Sequence, residues 1–166
     1  MLGVRRGPDE RRLEVGDEVL GLACFPTPGH ASHHVCYLDS DGMLYAGDTA
    51  GVRIQPHRAV LPPTPPPEFD LEAWSRSLDE LERRAPTRLA LIHFGVFDDV
   101  ARHLDDLRRR LHAWVGLDGA TEEEFAASVS ADVDGVEDYE RAMPLWQSYA
   151  GLKRYWDKRR LTIATS

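Results

Sequence analysis

The spacing of hydrophobic and polar residues changes several times along this chain, and each change predicts a new element. Arg12–Thr27 reads as two short strands around a Gly16–Asp17 turn. The runs His33–Asp39 and Met43–Asp48 predict two more strands. Ser40-Asp41-Gly42 lies between them, and Asp-Gly flanked by apolar runs is a strong hairpin signal. Residues 51–70 are rich in proline, which removes amide donors and fixes φ, so an ordered or semi-rigid loop is expected there. Leu71, Trp74, Leu78 and Leu81 then recur at helical spacing, with Asp70 as N-cap. The continuous apolar run Thr87–Gly95, closed by His93 and Gly95, predicts a buried strand. A second amphipathic helix is expected from Asp98 or Asp99 to near Gly116, and a third over Thr121–Asp132. In Val136–Arg160, Tyr139, Met143, Trp146, Tyr149 and Tyr155 fall close to one helical face, and Pro144 should kink that helix. Strands followed by helices predict an α+β fold.

A length of 166 residues suits one domain, or one domain with an appendage, and 42% hydrophobic content is enough for a core. The net charge of −8 argues against a nucleic-acid surface, which needs a basic stripe. No apolar run reaches membrane-spanning length, and the start of the chain lacks the apolar core of an export signal. Cys24 and Cys36 are too few for a disulfide scaffold. They fall on neighbouring strands and are expected to be buried free thiols in a cytoplasmic protein.

The chemistry concentrates at predicted strand ends. His30 follows Pro28-Gly29, a pair that stops a strand and turns the chain. It is either a hydrogen-bonded loop histidine or a metal ligand. Asp48 ends an apolar strand between glycines, as a turn-capping carboxylate or as a ligand able to bridge two metal ions. His93 ends the strand Leu89–His93. The ordered set His, Asp, His in these contexts is more specific than any of its members.

In this order, "TPGHASHH", "LYAGDTAG" and "LIHFG" resemble the third, fourth and fifth motifs of the metallo-β-lactamase-fold hydrolases, and the likeness runs from about Leu13 to Leu111. The Pro-rich "PPTPPPEFDLEAW" also resembles a subgroup of that superfamily. The resemblance implies a four-layer αββα sandwich built from two similar halves. It implies His30 as a ligand of a first metal, Asp48 as a bridging carboxylate with a catalytic role, and His93 as a ligand of a second metal. His34 and Ser32 would support the ligands from behind, and His57 could contact the site from the following loop. The implied cofactor is zinc, up to two ions in a complete site, with iron or manganese also compatible.

The family's His-x-His-x-Asp-His motif is not found in this chain. The expectation is therefore the C-terminal half of the sandwich over residues 1–116, with a helical extension over 117–166. With Asp48 shared, each metal would have two protein ligands, whereas catalytic zinc normally has three plus water. The first reading is a metal-dependent hydrolase of a small-molecule ester, thioester, lactone, amide or phosphoester, with an incomplete metal site that holds zinc weakly. The second is a non-catalytic half-domain that self-associates or pairs with a chain carrying the missing N-terminal ligands. His103 and His112, in a charged helix, are expected at the surface, and His57 as a solvated loop residue.

Overall fold

The computed structural model describes residues 18–93 and 95–164. Among these residues the strands form one six-stranded sheet in sequence order. They are β1 (Glu18–Val19), β2 (Leu22–Pro26), β3 (Val35–Leu38), β4 (Met43–Gly47), β5 (Arg88–Leu91) and β6 (Gly95–Phe97). All neighbours are antiparallel except β4 and β5, which run parallel. That parallel pair needs a crossover, and it is supplied by a 3₁₀ turn (Asp48–Ala50), the Pro-rich segment and helix α1 (Leu71–Arg84).

The hairpin at Ser40-Asp41-Gly42 forms as expected, with Asp39 Oδ1 accepting from the amides of Asp41 and Met43 at 2.9 and 2.8 Å. The expected Gly16–Asp17 turn lies outside the described residues. The β1–β2 link is made instead by Leu20–Gly21, both at positive φ (54° and 79°), as a two-residue hairpin loop of the primed type requires. The run at Thr87–Gly95 is not one strand. It ends at Leu91, turns at Ile92–His93 and returns as β6, so His93 sits in a turn and Ile92 is 66% exposed.

Asp70 caps α1 by accepting from the Ala73 amide at 2.8 Å. The second helix, α2, spans Val100–Val115. Thr121 and Glu124 form a capping box at the start of α3 (Glu122–Asp132). Pro144 does not kink one helix but separates two, α4 (Val136–Ala142) and α5 (Leu145–Ala164). Trp146 then points to solvent, away from the face expected for it, while Tyr139, Met143 and Tyr155 are buried.

Register sorts the sheet into two faces. Phe25, Cys36, Leu44, Ala46, Leu89, Leu91 and Phe97 point into a core that continues through Trp74, Leu78 and Leu81 of α1, Leu104, Leu107 and Leu111 of α2, and Phe125, Leu152 and Trp156 of the later helices. The opposite face carries Tyr37, Tyr45, Ala90 and Val96 in one cross-strand row, with Tyr45 45% and Val96 52% exposed. A sheet with helices on one face is half of an αββα sandwich, here with C-terminal helices added. The Pro-rich segment is ordered, as expected. Val52 pairs with Leu61, and residues 59–64 are buried. Helix α5 comes so close that a Cβ on Gly151 would lie 1.9 Å from the Thr64 carbonyl oxygen.

Candidate metal centre

Topology brings the three candidate ligands to one sheet edge. β2 and β4 both run antiparallel to β3, and β5 runs parallel to β4, so β2, β4 and β5 all end at the same side. His30 lies in the turn after β2, Asp48 directly after β4, and His93 in the turn after β5. Gly47 pairs with Leu91, past a register shift that follows Tyr45, so the chain leaves β4 and β5 side by side.

Two of the ligand candidates, His30 and Asp48, are held from behind. Gly29, at φ 136°, lies against α1, where a Cβ would meet Trp74 backbone atoms at 2.4 Å. Its carbonyl accepts from the Asp70 amide at 2.9 Å, and the Pro28 carbonyl accepts from Ser77 Oγ at 2.7 Å. His30 therefore leaves a turn clamped on the start of α1, its ring edge-on to Trp74. His30 Nδ1 donates to the Pro63 carbonyl at 2.8 Å, which orients the other nitrogen, Nε2, toward Asp48 Oδ2 at 3.6 Å. His93 Nε2 lies 3.0 Å from the other carboxylate oxygen, Oδ1.

His34 braces Asp48. Its Nε2 accepts from the Asp48 amide at 3.1 Å, so its proton is on Nδ1, which faces the hydroxyls of Thr27 and Thr49, each at 2.8 Å. Burial pushes this imidazole down to about 4, and nearby His30 acts in the same direction. A Cβ on Gly47 would lie 2.5 Å from His34 Nε2, so glycine makes room for the brace. Ser32 is turned away, its amide and hydroxyl donating to Glu68 at 2.8 and 2.9 Å. These bonds hold the exposed Glu68 carboxyl below its usual range.

His57 is not a solvated loop residue. Its Nε2 lies 3.0 Å from Asp138 Oδ2, its ring packs on Tyr139, and Gly135 leaves it room. The expectation for His103 is also overturned. Its ring is 0% exposed and Nε2 donates to the Ala50 carbonyl at 2.8 Å. Charged neighbours hid it in the sequence, although Leu107 and Leu111 continue its face at helical spacing. His112 is exposed, as expected. Trp74, Thr27, Thr49 and the Pro63 carbonyl also support the site, although in the sequence Trp74 reads only as a helix core position and Thr27 and Thr49 only as members of the quoted motifs. Trp74 Nε1 donates to the Thr49 carbonyl at 2.8 Å. Cys24 and Cys36 are buried and free. They fall on opposite faces of the sheet, because Cys24 pairs with Tyr37 and Cys36 with Phe25.

Among the described residues, no group of three or more His, Cys, Asp or Glu is arranged to hold a metal ion. What is present is two pairs sharing Asp48. With Nδ1 turned to the Pro63 carbonyl, His30 Nε2 faces a carboxylate oxygen, a nitrogen and an oxygen donor type side by side. Their 3.6 Å separation is within the reach of two metal–ligand bonds of about 2.0–2.2 Å each. The donor chemistry fits a cation, and the donor number fits part of a site.

The family model described as the metallo-beta-lactamase superfamily matches residues 4–94. A metallo-beta-lactamase fold-containing protein, ST1585 of Sulfurisphaera tokodaii, is 26% identical over 121 residues, 70% of this chain and 45% of the relative. The crystal structure of ST1585 from Sulfolobus tokodaii aligns with a TM-score of 0.55 at 23% identity, covering 80% of this chain and 45% of that one. TTHA1429 of Thermus thermophilus, a metallo-beta-lactamase family protein, aligns with a TM-score of 0.59 at 25% identity, covering 88% and 48%. The chain thus spans about half the length of these relatives. With the family model covering more than half of it, this chain belongs to the metallo-beta-lactamase superfamily.

Proposed function

We propose that the chain contributes half of a metal-dependent hydrolase centre. His30 and Asp48 would hold one ion, and His93 and Asp48 a second, with the remaining donors coming from residues outside these 166. The observation that carries this reading is the shared carboxylate, since each oxygen of Asp48 faces a different imidazole and the His30 ring is fixed with Nε2 toward it. Zinc is the first candidate, and iron and manganese suit the same donors. Bound there, such an ion would supply Lewis-acid chemistry, the activation of water and the polarisation of a carbonyl or phosphoryl oxygen. The chain's own residues supply position. His34 fixes the Asp48 backbone, Pro63 the His30 tautomer, and the Pro28-Gly29 clamp the direction of the turn. The substrate class is a small-molecule ester, thioester, lactone, amide or phosphoester. Residues 1–116 would form the half-sandwich and 117–166 a helical extension packed onto it, in a protein of the cytoplasm. No helix among the described residues is long and apolar enough to cross a membrane.

A second reading has its own observation. The row Tyr37, Tyr45, Ala90 and Val96 on the face away from the helices is a surface for a covering partner, and it lies on the strands that carry Asp48 and His93. The partner proposed is a polypeptide that brings the missing donors. Equilibrium dialysis against zinc, read by elemental analysis beside light scattering, tests both readings. Weak zinc uptake that disappears in Asp48→Ala supports the shared-carboxylate site, and equal uptake by wild type and variant refutes it. A strictly monomeric protein that no such polypeptide joins refutes the partner face.

A further inference from the structure

We propose that His103 is a positioning residue that sets the separation of Asp48 and His93. It is the one fully buried histidine among the described residues, and it comes from α2, not from the sheet. Its Nε2 donates to the Ala50 carbonyl at 2.8 Å, at the end of the 3₁₀ turn that begins with Asp48. Its ring packs on Phe97 with centroids 5.8 Å apart, at the end of the strand that follows the His93 turn. One imidazole therefore touches both chain segments that leave the candidate centre, and its size spaces them.

The neighbouring residues stiffen this wedge. Arg53, buried just after the 3₁₀ turn, also stacks on the Phe97 ring, 4.2 Å from its centroid. It donates from Nη1 to Asp99 Oδ1 at 2.6 Å, at the first turn of α2. Gly51 packs so tightly that a Cβ would meet Leu107 and the Leu61 carbonyl, both at 2.9 Å. The register of α2 is thus tied to the 3₁₀ turn at Ala50, Gly51 and Arg53. His103 Nδ1 and Arg53 Nε have no partner among the described residues. An apolar side chain would have filled this core position without stranding a polar atom, whereas histidine adds a donor that reaches Ala50.

The inference rests on the proposed metal centre for what the spacing serves, but the spacing can be read without metal. The test uses the full chain and three variants. His103→Gln keeps a donor of similar reach, His103→Asn is polar but too short to reach Ala50, and His103→Leu removes the donor. The first readout is the ¹⁵N resonance of His93 Nε2 in metal-free protein, which reports its contact with Asp48. The second is cobalt(II) affinity followed by visible absorption. For the Asn and Leu variants the expected result is a displaced His93 resonance and cobalt affinity weakened roughly tenfold or more, the scale of outer hydrogen-bond partners of metal ligands. His103→Gln should restore both. Should His103→Leu fail to fold, His103→Asn carries the comparison. Folded variants that melt lower but keep the wild-type His93 resonance would overturn the proposal, leaving His103 a core residue only. A wild type that takes up no cobalt defeats the metal reading instead, and the His93 resonance alone then decides the role of His103.

Discussion

Asp48 and His93, 45 residues apart in sequence, meet with Oδ1 and Nε2 3.0 Å apart, while the other oxygen of the same carboxylate faces His30. The parallel pairing of β4 with β5 makes this contact, because it places two strand exits side by side at one edge.

Removing that carboxylate should cost more metal than removing either imidazole. Asp48→Ala takes a donor from both proposed ion positions, whereas His30→Ala and His93→Ala each take one from a single position. Zinc content after dialysis should rank wild type first and Asp48→Ala last, with the histidine variants between them. A histidine variant that loses more zinc than Asp48→Ala contradicts the sharing.

Gly151→Ala should destabilise the fold by about 2–3 kcal/mol, the scale of forced overpacking. A Cβ there meets backbone, the Thr64 carbonyl oxygen at 1.9 Å, and backbone cannot rotate away as a side chain can. Urea denaturation measures the loss. A variant as stable as wild type would mean that α5 does not press on the Pro-rich segment.

Acid should weaken the fold through His103. Burial pushes its imidazole down to about 4, against the bond to Ala50 that favours the charged form. The unfolded chain takes up this proton near pH 6.5, and the native state does so only near 4. The stabilisation is therefore complete above about 6.5 and is lost as pH falls toward 4, by roughly 3 kcal/mol at most. Urea midpoints between these pH values should fall less steeply in His103→Gln. His34, lowered likewise, keeps part of the slope in the variant. Identical slopes in wild type and variant would show that His103 is not buried neutral.

Both thiols should be silent in the native protein. Burial pushes Cys36 up to about 12 and hides the thiol, while Cys24 is buried on the opposite face of the sheet. A disulfide-exchange reagent at mildly alkaline pH should label neither until urea is added, and then both. Rapid labelling of the folded chain, or a bridge between the two, would contradict the strand register.

Several elements were legible because their causes are local. Helix α1 announced itself through the period of Leu71, Trp74, Leu78 and Leu81 and through the Asp70 cap, and the Asp41-Gly42 turn through residues that tolerate its backbone. The likeness of "TPGHASHH", "LYAGDTAG" and "LIHFG" to family motifs points to His30, Asp48 and His93. The end of β5 was not legible. An apolar run does not say where a strand stops, and Ile92, apolar yet exposed, is paired with nothing in the sheet that would have marked it. Trp146 and the two helices around Pro144 are hidden from the sequence for a related reason, since a proline can bend a helix or divide it according to what packs beside it.

The sequence by itself determined the α+β class, the family, and the order His, Asp, His, because these depend on periodicity, turn chemistry and motif, all readable from neighbours in the chain. Tertiary structure alone decided that the two Asp48 oxygens face different histidines, that His57 belongs to Asp138, and that His103 is buried against the Ala50 carbonyl. Each of those facts depends on which residues distant in sequence are pressed together when the core closes. A side chain's local neighbours carry no record of that.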